Sequence, residues 1–174
     1  MGLASSPAQT AAKNHVDAEQ RNARQPCMEF EQMPLAEKHI LALLASADEI
    51  DQVRENSEDG FYNTGPETTA KLDAIARKNG LAGYGEYKAI RANVILVFSG
   101  YDWVIGRYVG REKLIRNRVA RARVDRSLSA EQKKDEIESL NAQRVCTLPE
   151  VKYTANIEIV RKYYARLDAS SFQK

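Results

Sequence analysis

The side chains most able to do chemistry are a basic run, a pair of cysteines, a set of tyrosines around a single tryptophan, and two histidines. Arg107, Arg111, Lys113, Arg116, Arg118, Arg121, Arg123 and Arg126 stand against only Glu112 and Asp125 in that stretch. Such a run can contact phosphate, an anionic lipid head group or an acidic protein. Projected at ~100° per residue, the charges spread round a helix instead of forming one clean stripe. Arg118 falls among Leu114, Ile115, Val119 and Ala122, where it must snorkel or pair with a carboxylate. A solvated face with scattered salt bridges is the plain alternative. Partner binding, where it occurs, is assigned to Arg107, Arg111, Lys113, Arg116, Arg121, Arg123 and Arg126.

Cys27 and Cys146 are the only cysteines, each in a connection that carries a proline. They are either a bridge or two unrelated thiols, and neither has a histidine nearby in sequence to make it a nucleophile. With two cysteines and two histidines, the chain has no material for a multi-ligand soft-metal site. His39 lies near an apolar stripe and His15 lies far from it, and no His-x-x-x-His or Glu-x-x-His pair exists. Asp48, Glu49 and Asp51 crowd one helix without a catalytic partner, which reads as a solvated face. Tyr84, Tyr87, Tyr101, Trp103, Tyr108, Tyr153, Tyr163 and Tyr164 could line a ligand pocket, or be core residues with one wet edge. No catalytic residue and no cofactor follow from these patterns. Net charge is +2, from 26 basic and 24 acidic residues, so there is no global field steering the chain to nucleic acid.

The elements that must position these groups are helical. A chain of 174 residues has room for one core. Residues 1–33 are polar and read as a flexible arm, with a weak helical stretch over His15–Arg24. Residues 34–174 read as a single helical domain. Pro34 is expected to open the first helix, with Leu35, Ile40, Leu43, Leu44, Ala47, Ile50 and Val53 on its inner stripe. Pro66 opens the second, which stops at Asn79-Gly80. The central helix is expected over about 85–105, apolar on every side at Val94–Phe98 and therefore wrapped by other helices. That run is far below the ~20 residues of a membrane span. Gly100, Gly106 and Gly110 predict a break or kink. The basic helix follows over 111–126. Ser129 and Gln132 form a capping-box pattern for the next helix. The last runs from Asn156 to Ala169, with Ile157, Val160, Tyr164 and Leu167 inward and one of Tyr163 and Tyr164 buried. The expectation is an all-α protein, an irregular bundle of five or six helices around a buried central helix. No secretory leader is visible, and Met1–Ser6 reads as a start and small-residue linker, not a myristoylation site.

Three segments together resemble a known family. They are Ala76-Arg77-Lys78-Asn79-Gly80-Leu81-Ala82-Gly83-Tyr84-Gly85-Glu86-Tyr87, then Ser129-Ala130-Glu131-Gln132-Lys133-Lys134, then the helix Asn156–Ala169. In that order, over roughly 70–170, they resemble a family of small, all-helical, exported proteins of alphaproteobacteria. The motifs are packing motifs and bring no catalytic residues. The resemblance implies a periplasmic or exported setting for a processed chain, with a cytoplasmic one as the alternative. The basic run at 107–126, the polar arm and the cysteines depart from the family's pattern. In an oxidising compartment the cysteines would form a Cys27–Cys146 disulfide tying the arm to the entrance of the last helix. The functional expectation is a non-enzymatic interaction protein with an unidentified protein partner, an accessory subunit of a larger envelope assembly. The alternatives are an anionic-surface or nucleic-acid binder through the basic helix, and a small-ligand carrier or enzyme.

Overall fold

The structure, a computed structural model, describes residues 30–57, 65–144 and 148–169. Helix α1 is Glu37–Glu55, α2 Pro66–Lys78, α3 Tyr84–Phe98, α4 Arg111–Val124, α5 Ala130–Ala142 and α6 Ala155–Ala169. A two-stranded antiparallel hairpin, β1 Tyr101–Asp102 and β2 Arg107–Tyr108, separates α3 from α4. The architecture is all-α, and the hairpin is the sole sheet among the described residues.

Helices α1, α2, α3 and α6 form the body. Ile40, Leu43 and Ile50 of α1 meet Leu72 and Ala76 of α2, Ile90, Val94 and Val97 of α3, and Val160 and Leu167 of α6. All of these side chains are buried. Helix α3 is covered by α1, α2 and α6 along most of its length, but Ile95 and Phe98 on its remaining face stay half-buried, so the expected all-round wrapping of Val94–Phe98 is incomplete. Leu44, Val53, Ile75 and Ile157 pack against this core while staying partly exposed. One tyrosine of the adjacent pair is buried, but it is Tyr163; Tyr164, expected on the inward stripe, is half-buried because it turns to the Trp103 and Phe98 rings.

Three boundaries differ from the sequence expectation. The first helix begins at Glu37, not Pro34. Before it, the backbone is met by side chains. Asn156 Oδ1 accepts from Leu35 N–H at 2.8 Å, and its Nδ2 donates to the Met33 carbonyl at 2.9 Å. Asn93 Oδ1 accepts from Met33 N–H at 3.2 Å, and its Nδ2 donates to the Glu31 carbonyl at 3.4 Å. Asn93 is 1% and Asn156 2% exposed. A segment whose backbone groups are satisfied this way has no need of helical partners. His39 Nδ1 accepts from Ala36 N–H at 3.0 Å and closes the first turn.

The second difference lies ahead of the central helix. Gly83 and Tyr84 sit over Asp73, whose Oδ1 accepts from Tyr84 N–H at 2.7 Å, so α3 begins at Tyr84. The third lies at its end, at Phe98 instead of Ile105. The break expected at the glycines is a β-hairpin, in register Tyr101↔Tyr108 and Asp102↔Arg107. Its turn needs Gly106 at φ +66°, a conformation L-residues rarely adopt.

Helices α4 and α5 form an antiparallel arm that buries Ile115, Ala122 and Leu140 and is tied across by polar contacts. Arg118 reaches Glu136 at 3.3 Å, and Arg144 reaches Glu112 at 2.9 Å. The Arg111 guanidinium donates to the Gln143 carbonyl. Ser129 caps α5 through Gln132 N–H at 3.2 Å, and Gln132 answers with its side-chain oxygen on Ser129 N–H at 2.8 Å, the capping box read from sequence. Among the described residues, no helix is long and apolar enough to cross a membrane.

Candidate functional site

A cleft of about 1100 Å³ opens between the body and the α4–α5 arm. Its body wall comes from the C-terminal end of α3, the β-hairpin and α6. Phe98, Tyr101, Trp103 and Tyr164 form one aromatic group there. Trp103 stacks on Tyr101 with ring centroids 3.9 Å apart and on Tyr164 at 3.5 Å, so both indole faces are covered. Phe98 lies 5.6 Å from both Trp103 and Tyr164. Such stacks contribute ~0.5–1.5 kcal/mol beyond burial. Burial raises the Tyr164 phenol above its ordinary pKa, with Asp168 acting in the same direction.

Asp102 sits at the root of the cleft, 1% exposed. Its Oδ1 accepts from Arg121 Nη1 at 3.1 Å and from Val104 N–H at 3.2 Å. Its Oδ2 accepts from Arg121 Nη2 at 2.8 Å and from Asn117 Nδ2 at 3.3 Å. All four acceptor positions are filled, so the carboxylate pins the hairpin to α4 and is not free to hold a ligand. The Arg121 hydrogen bonds, helped by Asn117, hold its pKa below the usual carboxylate range, against the opposing effect of burial. The acids on the other side of the cleft are Asp125, Asp135 and Glu136. Ser127 donates to Asp125 through both its hydroxyl and its N–H, which holds that carboxyl below its ordinary pKa.

The basic run is divided by the fold. Arg111, Arg118 and Arg121 are occupied by Gln143, Glu136 and Asp102. Burial lowers the Arg111 pKa from its usual value. Arg107, Lys113, Arg116, Arg123 and Arg126 are exposed. None of these five has a carboxylate within ion-pair distance among the described residues. At ~100° per residue, Lys113, Arg116 and Arg123 share a sector of about 80° on α4. That sector lies opposite buried Ile115 and Ala122. Ala120 and Val124, the latter 75% exposed, lie on the same face. The whole run scatters, as expected, and its exposed remainder on α4 does not. Arg107 and Lys113 also line a second hollow of about 500 Å³ with Glu150.

The remaining aromatics belong to the core and its edges. Tyr84 and Tyr87 stack at 5.8 Å inside the body, and burial pushes the Tyr87 phenol far above its usual range. The Tyr163 hydroxyl donates to Glu37, which also receives Lys162 at 2.9 Å, an α1–α6 tie that lowers the Glu37 pKa. Among the described residues Asp48, Glu49 and Asp51 join no metal-binding cluster, and Glu49 pairs with Lys78 at 2.9 Å. Among the described residues, no three of His, Cys, Asp and Glu converge on a metal position. Cys27, Cys146 and His15 lie outside the described residues, and so does the expected Cys27–Cys146 bridge.

Asp102, Asn93 and Asn156 were not singled out from sequence. The signal available for the two asparagines was a polar residue inside an apolar helical stripe, which must find a partner. Asp102 stood between aromatic neighbours in a stretch expected to be helical. Compared with known proteins, the chain matches no family model, no curated protein and no solved structure.

Proposed function

We propose that the protein is a non-enzymatic interaction module that docks an acidic, amphipathic partner protein on the outward face of α4. The observation that carries this reading is the sorting of the basic run. Three arginines are used internally, and Lys113, Arg116 and Arg123 remain together, exposed and without ion-pair partners among the described residues. Ala120 and Val124 between them favour a protein over a polyphosphate. An exposed apolar side chain gains from burial against another apolar surface, whereas a phosphate chain offers none. The near balance of charge over the whole chain points the same way. The resemblance noted above adds the proposal that the partner belongs to a periplasmic or envelope assembly.

The test is affinity capture from native membrane and periplasmic extracts, with wild type and the Arg116→Glu/Arg123→Glu variant side by side. Any captured protein is then purified and its binding measured directly across a salt series. The reading expects one partner retained by wild type and lost by the variant, whose helical circular dichroism is unchanged. Equal capture by both proteins overturns it. Binding to RNA, DNA or acidic vesicles whose affinity falls by ~1 logarithmic unit per phosphate contact for each tenfold rise in salt would instead establish the anionic-surface alternative.

A further inference from the structure

The cleft between the body and the arm has a charge balance that the α4 docking face does not explain. We propose that it binds a small organic cation with an apolar, ring-bearing body. Its volume of about 1100 Å³ lies just above the ~300–1,000 Å³ that small-molecule sites usually occupy, room for a bulky ligand. The wall offered by Phe98, Ile95, Leu114, Leu128 and Tyr164 is apolar over most of its extent. Ligand pockets of this kind take the bulk of a molecule on apolar surface and fix its orientation with a few polar groups.

The sign of the ligand follows from the lining charges. Asp102, Asp125, Asp135 and Glu136 face the cleft with only Arg118 and Arg121 against them. Both arginines are already paired, Arg121 with Asp102 and Arg118 with Glu136. Two carboxylates remain outside these pairs: Asp125 takes its hydrogen bonds from Ser127 and has the Lys133 ammonium near it, and Asp135 is exposed on α5 with no ion pair among the described residues. An anionic ligand would meet this surplus as repulsion and would have to break an existing ion pair to find a guanidinium. A cation needs no rearrangement. It also does not rely on the indole, since Tyr101 and Tyr164 cover both of its faces. The carboxylates, not cation–π contact with Trp103, supply the charge recognition.

Trp103 is the only tryptophan in the chain, so its fluorescence reports on this cleft alone. The full chain is titrated with tetraphenylphosphonium and, separately, with tetraphenylborate, which has nearly the same shape and the opposite charge. The expected result is a saturable fluorescence change with the phosphonium, at least ~10-fold weaker binding of the borate, and screening of the difference by salt. Asp135→Asn, which removes no hydrogen bond among the described residues, weakens the phosphonium by several-fold. Asp125→Asn together with Asp135→Asn weakens it further. Borate binding as tight as the phosphonium, no saturation, or Asp135→Asn binding as well as wild type overturns the proposal. Charge reversal at Arg116 and Arg123 leaves the titration unchanged, which separates this site from the docking face.

Discussion

Replacing Arg121 by Met isolates the buried carboxylate at the root of the cleft. Asp102 is 1% exposed on its side chain and Arg121 38%. Removing one partner of a buried ion pair costs ~3–5 kcal/mol, because the other charge stays behind unpaired. Two facts reduce that figure here. Water already reaches part of the guanidinium, and Asn117 and Val104 still donate to the carboxylate. The expected loss is ~2 kcal/mol, or about 1 M in the urea midpoint for a slope near ~2 kcal/mol/M. Urea unfolding followed by Trp103 fluorescence and by far-ultraviolet circular dichroism measures it, with Asp102→Ala and the double variant completing a cycle. Acid gives an independent check. The folded pKa of Asp102 is depressed, chiefly by Arg121. Its stabilisation is therefore complete above the unfolded value of ~3.9 and is lost as pH falls through the lower folded value. Without Arg121 that dependence shrinks, so the gap between wild type and variant narrows below pH ~4. A midpoint shift under ~0.2 M, or a coupling under ~0.5 kcal/mol, would refute the claim that this pair pins the hairpin to α4.

Asn156→Ala leaves the Leu35 N–H and the Met33 carbonyl without the partners Asn156 supplies, for an expected loss of ~2–4 kcal/mol and faster amide exchange at Leu35; a loss below ~1 kcal/mol would contradict the role of Asn156 in holding the segment before α1. Gly100→Ala places a Cβ 2.5 Å from the Tyr108 ring and should cost ~1–3 kcal/mol, partly recovered when Tyr108→Ala is added. Strict additivity of those two changes would remove the clash as the cause. Ser129→Ala should cost ~1 kcal/mol, seen as faster exchange at Gln132 with Val94 unaffected.

The helices were legible where one face of the chain had to be buried and a cap marked an end. Pro66 and Gly80 bound α2, Ser129 with Gln132 opens α5, and the Ile40, Leu43 and Ile50 stripe lies in the core as periodicity demands. Val94, Leu96 and Val97 are buried, whereas Ile95 and Phe98 of the same apolar run face the cleft half-buried. The departures share a cause, which is that a distant side chain overrides local preference. Pro34 does not open α1, because Asn93 and Asn156 satisfy the backbone around it from α3 and α6. The chain leaves α3 at Phe98, because Asp102 finds Arg121 and Gly100 lies against Tyr108. The aromatic wall of the cleft draws Phe98 and Trp103 together with Tyr164 of α6, a separation that periodicity within one helix does not span. The basic stripe on α4 was hidden for the same reason, since it emerges only once the internally engaged arginines are subtracted.

The two asparagine clamps also bear on synthesis. The Leu35–Asn156 and Met33–Asn156 bonds span sequence separations of 121 and 123 residues. A ribosome releases the chain at ~5–20 residues per second, so Met33 and Leu35 emerge many seconds before Asn156 does. Throughout that interval Asn93 is the only clamp that can form, and the groove between α1 and α3 awaits Val160 and Leu167. The nascent protein thus passes through a stage in which the apolar seam that Val160 and Leu167 later fill is open to solvent. A message truncated before α6 would yield a product arrested in that state, a target for proteolysis and not a smaller working domain.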